Sequence, residues 1–169
     1  MKKELSYLKY LVPVLNIALG LQLFGFVIGL ILLLIISVVG LDQIVSWGMT
    51  FAQQHGGQVQ GKLSSLPSLW LLWLSLLDVL PHIALTWFIR KFCKNLLEDR
   101  IFIAENATLA CHAAIALLFS WVLSISVGPV SNLEIGFDGF PIIAAILVWT
   151  ISKVLEQANA IAEENDFTI

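Results

Sequence analysis

Charge is what this sequence has least of. Only 12% of its 169 residues are Asp, Glu, Lys or Arg, against about 25% in soluble globular domains. With 59% hydrophobic residues and a mean hydropathy of +0.91, too few polar side chains remain to cover a water-facing surface. Cysteine is scarce too. Cys93 and Cys111 belong to no CxxC or other paired spacing, which argues against a zinc ribbon or a redox pair. The signatures of soluble enzymes are missing: there is no GxGxxG, P-loop, HExxH or GxSxG, and no serine sits beside a base in a recognisable pattern. We therefore expect no enzymatic activity, no metal, no cofactor and no direct contact with nucleic acid.

What is present is four long apolar blocks. In lipid every backbone polar group must be satisfied internally, so the choice lies between a helix bundle and a closed barrel. Barrel strands alternate polar and apolar residues over roughly 10 positions. These blocks are instead continuously apolar over about 20 residues or more, the length a spanning helix needs. The expected fold is all-α: an integral membrane four-helix bundle forming one domain over residues 1–169, with spans at roughly 12–39, 68–89, 106–127 and 137–154. The first block is too long for the roughly 7–15 apolar residues of a signal-peptide core, and no small-x-small cleavage site follows it, so it reads as a retained span.

The scarce basic residues orient the chain. Lys2, Lys3 and Lys9 precede the first block, Arg90, Lys91, Lys94 and Arg100 lie between the second and third, and Lys153 ends the fourth; only Lys62 falls across the membrane. By the positive-inside rule both termini are cytoplasmic, and the expected location is the cytoplasmic (inner) membrane of a bacterium. Thiols stay reduced on that side, so no disulfide between Cys93 and Cys111 is expected.

Between the first two spans, residues 42–65 form an outer loop. Ile44 to Phe51 is amphipathic and suits the membrane interface, and His55-Gly56-Gly57 and Gly61 then break it. Pro67 opens span two, Gly128-Pro129 closes span three, and a short link around Ser131 to Glu134 leads to span four near Phe137. Gly25 and Gly29 have the GxxxG spacing that lets helices approach closely, either within the bundle or in a homo-oligomer.

Polar residues inside the spans need partners. Asp78 lies halfway along span two, where a charged side chain costs at least about 2.5–3.5 kcal/mol. His82 follows on the same helical face, and Pro81 between them removes a backbone hydrogen bond and favours a kink. The stretch reads either as a proton- or ligand-sensing site, since histidine titrates near neutral pH, or as an interhelical polar contact with Asn16, Gln22 or His112. Cys111 and His112 are adjacent, and so diverge on a helix.

Beyond span four the helical pattern continues through residues 155–165. Leu155, Ala158, Ile161 and Ala162 share an apolar face opposite Glu156, Glu163 and Glu164, and Phe167 lies in the last residues. Such a face either packs beneath the bundle or receives a soluble partner.

Two stretches, Ile101-Phe102 through Asn106 and Leu109, and Val154-Leu155-Glu156 through Ala162-Glu163-Glu164-Asn165-Asp166-Phe167-Thr168-Ile169, resemble the YoaS-like family of bacterial membrane proteins, a domain of unknown function. The resemblance covers nearly the full chain in layout. Phe167 stands where the family usually has Leu, Ala113 and Ala158 where it often has Gly, and Thr108 and Ala110 where basic residues are common. It implies four spans and, because such proteins are often encoded beside a small helix-turn-helix regulator, a role in binding or modulating a cytoplasmic DNA-binding partner. The alternative drawn from the residues alone is a small proton-coupled transporter or channel component using Asp78.

Overall fold

The computed structural model describes residues 7–55, 68–127 and 139–166, and among them every regular element is helical. The helices are α1 (Leu8–Val39), α2 (Leu41–Gln54), α3 (Leu69–Leu97), α4 (Ala104–Val127) and α5 (Phe140–Asp166). All but α2 are long and apolar enough to cross a membrane. The features expected at Gly56-Gly57, Gly61, Pro67, Gly128-Pro129, Ser131 to Glu134, Phe137 and Phe167 lie outside the described residues.

α1 has 32 residues, a length of about 48 Å at 1.5 Å per residue. That exceeds a hydrocarbon core of about 30 Å, so the helix tilts or extends beyond it. Leu33 is its only buried residue, and Val14, Ile17, Leu21 and Phe24 are exposed. A helix apolar on all sides and this little covered by protein suits a lipid solvent.

α1 ends at Gly40, whose φ of +92° is open to glycine and strained for an L side chain. The Gly40 N–H still donates to Ile36 O at 2.9 Å, and α2 begins at the next residue. The amphipathic segment expected over 44–51 is thus the middle of a longer helix. Trp47 and Phe51, four apart and on one face, are exposed. α2 touches little besides α1, as suits a helix lying in the interface.

The spans pack in the order α1, α3, α4, α5, with no comparable contact between α1 and α5. The bundle is therefore an open row and not a closed ring. Contacts between helices also give their directions. Arg90 bonds to Asn16, placing the end of α3 beside the start of α1. Lys91 pairs with Glu105, and Ser152 bonds to Ala107, so the start of α4 and the far half of α5 lie at that same end. Every described Lys and Arg is there: Lys9, Arg90, Lys91, Lys94, Arg100 and Lys153.

α4 is one of the two inner helices, and its buried residues are mostly small: Ala107, Ala110, Ala113, Ala114 and Ala116, with Ala145 buried on α5 beside it. Lipid tails are as apolar as leucine, so helices in a membrane associate by close packing, which small residues permit. Gly29 serves the same end on α1, since a Cβ there would lie 3.0 Å from Leu76 Cδ1 of α3, whereas Gly25 faces no protein atom. α3 passes through the buried Pro81 and continues past 89 to Leu97, and α5 runs unbroken from span into tail.

Ala145, 1% exposed, gives a direct test of this packing. Ala145→Leu is expected to destabilise the detergent-solubilised protein by about 1–3 kcal/mol through overpacking, read from thermal unfolding. Ile143→Leu, at an exposed position of the same helix, is expected to leave the unfolding temperature unchanged.

Candidate functional site

Three polar assemblies stand out against the apolar helices. One closes the turn between α3 and α4. Helix α3 ends in a Schellman arrangement, with Asp99 at φ +57°, Arg100 N–H donating to Asn95 O at 3.0 Å and Asp99 N–H to Leu96 O at 3.2 Å. Asp tolerates this left-handed conformation better than most L residues.

Over this turn sits Asn106, with 0% of its surface exposed. Its Nδ2 donates to Arg100 O and Ile101 O, both at 2.8 Å. Its Oδ1 accepts from Asn95 Nδ2 at 2.8 Å, and that nitrogen also reaches Glu105 Oε2 at 3.2 Å. Two carbonyls can only accept, so they fix which end of the Asn106 amide is nitrogen. Lys91 Nζ lies 2.6 Å from Glu105 Oε1 and 5.3 Å above the Trp87 ring. A buried amide with both ends satisfied holds the loop to both helices at once.

A second assembly joins α3 to α4 nearer the middle of the row. Ser120 Oγ lies 3.3 Å from Asp78 Oδ1 and 3.4 Å from His82 Nε2, while His82 Nδ1 lies 2.8 Å from the Asp78 carbonyl. That carbonyl only accepts, so Nδ1 carries a proton. In a neutral ring, Nε2 then competes with Asp78 for the single hydroxyl proton of Ser120. In a charged ring, Nε2–H donates to Ser120, whose own proton goes to Asp78, and both bonds form together. Distances of 3.3–3.4 Å make this a loose bridge.

The third assembly is a cleft of about 380 Å³ between the start of α4 and the end of α5. Ala104, Ala107 and Ala160 contribute an apolar wall, and Cys111, His112, Lys153, Glu156, Asn159 and Glu163 contribute polar groups. Lys153 Nζ is paired with Glu156 Oε2 at 2.7 Å. Asn159 is 8% exposed, and its Oδ1 is buried with no hydrogen-bond partner.

The expected partners of Asp78 went elsewhere. Asn16 accepts from Arg90, Gln22 Oε1 is buried without a partner, and His112 stacks against Phe88 at 5.5 Å between ring centroids. Ser120 takes their place. Its position carries no signal in the sequence, because a hydroxyl residue inside a helix ordinarily bonds its own backbone, as Ser75, Ser126 and Thr150 do here. The tail face is also divided: Leu155, Ala158 and Ala162 are partly covered, while Ile161 is 59% exposed. Cys111 and His112, expected to diverge, both border the cleft. Among the described residues no group of three His, Cys, Asp or Glu side chains converges to hold a metal.

No family model matches the chain, and no curated protein or solved structure matches it either.

The two thiols separate the assemblies experimentally, because Cys93 is buried in α3 and Cys111 is half-buried at the cleft. Maleimide applied to the native protein is expected to label Cys111 and to reach Cys93 only after denaturation. Equal labelling of both would place the cleft wrongly.

Proposed function

We propose that this protein is a non-enzymatic multi-pass protein of a bacterial cytoplasmic membrane, with both termini in the cytoplasm, that binds or modulates a soluble cytoplasmic partner. The resemblance to the YoaS-like family makes a helix-turn-helix regulator the leading partner. The observation that carries the reading is the form of α5, which leaves the row as one continuous helix to Asp166 with Ile161 exposed beyond the apolar block. An unsupported tail would fray, and its face would not be presented in one register. Half-covered Leu155, Ala158 and Ala162 instead seat the tail, leaving Ile161 as an outward apolar contact of the kind helix-in-groove recognition uses. The gathering of every described Lys and Arg at that end supports a cytoplasmic assignment.

A second reading is favoured by one observation, the Asp78–Ser120–His82 bridge: a small proton-coupled transporter or channel component. Intramembrane acids commonly mark ion pathways, and a hydroxyl between a carboxylate and an imidazole can pass a proton from one to the other. A homo-oligomer would be needed to enclose a pathway around one open row. Of the two glycines suited to such pairing, Gly29 is already occupied by Leu76, so Gly25 is the freer contact.

Ile161→Glu separates the two readings. It is expected to reduce co-purification of the cytoplasmic partner with membranes by about tenfold, a cost of about 1.4 kcal/mol, while leaving membrane insertion and thermal stability unchanged. Full partner retention in Ile161→Glu, together with loss of ion flux in Asp78→Asn, would favour transport.

A further inference from the structure

We propose that a pocket at the turn between α3 and α4 holds the phosphate of an anionic phospholipid, whose acyl chains lie along the exposed face of α3. The inference rests on the helices spanning a membrane and not on the partner reading above.

The pocket has a volume of about 280 Å³. Arg90, Lys91, Lys94 and Arg100 bring four positive charges to its lining, and Glu98 and Glu105 bring two negative ones. Glu105 is held by Lys91 at 2.6 Å and by Asn95 Nδ2 at 3.2 Å, so the charges of Lys91 and Glu105 cancel. Glu98 is shared by Lys94 at 3.8 Å and Arg100 at 3.7 Å, which leaves one positive charge among those three groups. Arg90 donates from Nε to the neutral Asn16, and no described carboxylate pairs with its guanidinium. Asn95, 4% exposed, spends its Nδ2 on Glu105 and Asn106 and forms part of the wall, while Asp99 of the same turn does not line the pocket.

Among the described residues, then, two positive charges of this lining have no carboxylate to balance them. An anion is the complement, and a phosphate offers the oxygens that a planar guanidinium engages in pairs. Lys94, Glu98 and Arg100 are about half exposed and their ion pairs are long. Such pairs contribute little, so Lys94 and Arg100 can turn to a phosphate at small cost. Lys91 is different: Glu105 fixes it, 5.3 Å above the Trp87 ring, and it stiffens the rim.

The rest of the same helix face makes the anion a lipid. Leu77, Leu80, Trp87, Lys91 and Lys94 follow one another at intervals of three, four or seven residues and so share one side of α3. Leu77, Leu80 and Trp87 are exposed. That side is apolar as far as Trp87 and basic beyond it. Indole rings favour the headgroup level, so the change falls where lipid phosphates lie. The pocket admits a phosphate and its glycerol, and the exposed leucines receive the chains. Basic pockets between spans commonly hold anionic headgroups in this way.

Native mass spectrometry of the full chain in detergent, titrated with dioleoylphosphatidylglycerol or dioleoylphosphatidylcholine, tests the proposal. The acyl chains are identical, so only the headgroup differs. Phosphatidylglycerol is expected to be retained at about tenfold lower concentration than phosphatidylcholine, and Arg90→Gln and Lys94→Gln should each weaken its retention about fivefold. Lys94 is exposed, so Lys94→Gln keeps the test valid should Arg90→Gln disturb the contact with α1. Lys153→Gln removes a cation from the same end but outside the pocket, and is expected to leave retention unchanged. Glycerophosphoglycerol, the same headgroup without chains, is expected not to displace the lipid even in large excess. Equal retention of the two lipids overturns the proposal, as does a loss in Lys153→Gln as large as in the pocket variants. Displacement by glycerophosphoglycerol would give the pocket to a soluble phosphate and overturn the lipid assignment. Binding of tetraglutamate, with no preference between the lipids, would overturn it in favour of an acidic polypeptide.

Discussion

The buried carboxamide of Asn106 is the contact on which the polar end of this molecule depends. Its three partners come from two places, the last turns of α3 through Asn95 and the loop through the carbonyls of Arg100 and Ile101, while the adjacent Glu105 on its own helix holds the same Asn95 nitrogen. Without that amide, two loop carbonyls lose this partner together, and the Asn95 nitrogen keeps only its longer bond to Glu105. Because α4 lies between α3 and α5 in the row, its starting point also sets where α5 packs. The first turn of α4 supplies the carbonyl of Ala107 that receives Ser152, and it forms one wall of the cleft. The turn thus positions both the cleft and the last turns of α5.

Away from that end, the physics is that of a lipid-solvated protein. The exterior of α1 is leucine, isoleucine, valine and phenylalanine, and helix contacts are made by alanines and by Gly29. Burying such residues gains little over lipid, so the row holds together by close approach and a few polar bridges. The loose Asp78–Ser120–His82 contact is one of these, and the bond from Arg90 to Asn16 is another. Polar contacts become denser toward the basic end, where water and headgroups compete, and a turn fixed by several bonds at once is the better means of holding helices there.

Long-period features were the legible part of the sequence. The four apolar blocks became α1, α3, α4 and α5, the amphipathic stretch after Gly40 became α2, and the helical pattern beyond Val154 became an unbroken continuation of α5. Block lengths and spacings are local quantities that need no knowledge of packing. The polar partnerships were less legible. Asp78 stood out because a carboxylate is rare in a span, but its contact is a serine 42 residues away. Asn95 and Asn106 look ordinary near helix ends, where asparagines commonly cap. Only the return of the chain through the turn shows that each answers the other. Asn159 reads as part of a polar tail face and is instead buried, because α5 rotates it toward the alanines of α4. The order of helices in the row was likewise not readable, since how apolar a block is does not say which other block it touches.

A double-mutant cycle on the Asn95–Asn106 pair tests the central role of this turn most directly. Thermal or denaturant unfolding would be measured for the parent protein, Asn95→Leu, Asn106→Leu and the combined variant in one detergent. Each single substitution is expected to cost about 1–3 kcal/mol by stranding buried polar groups. The pair should fall short of the sum by about 1 kcal/mol or more, because the second substitution removes an orphan left by the first. Costs that add within about 0.5 kcal/mol would mean that the two amides act independently, and would contradict the account of the turn as one coupled unit.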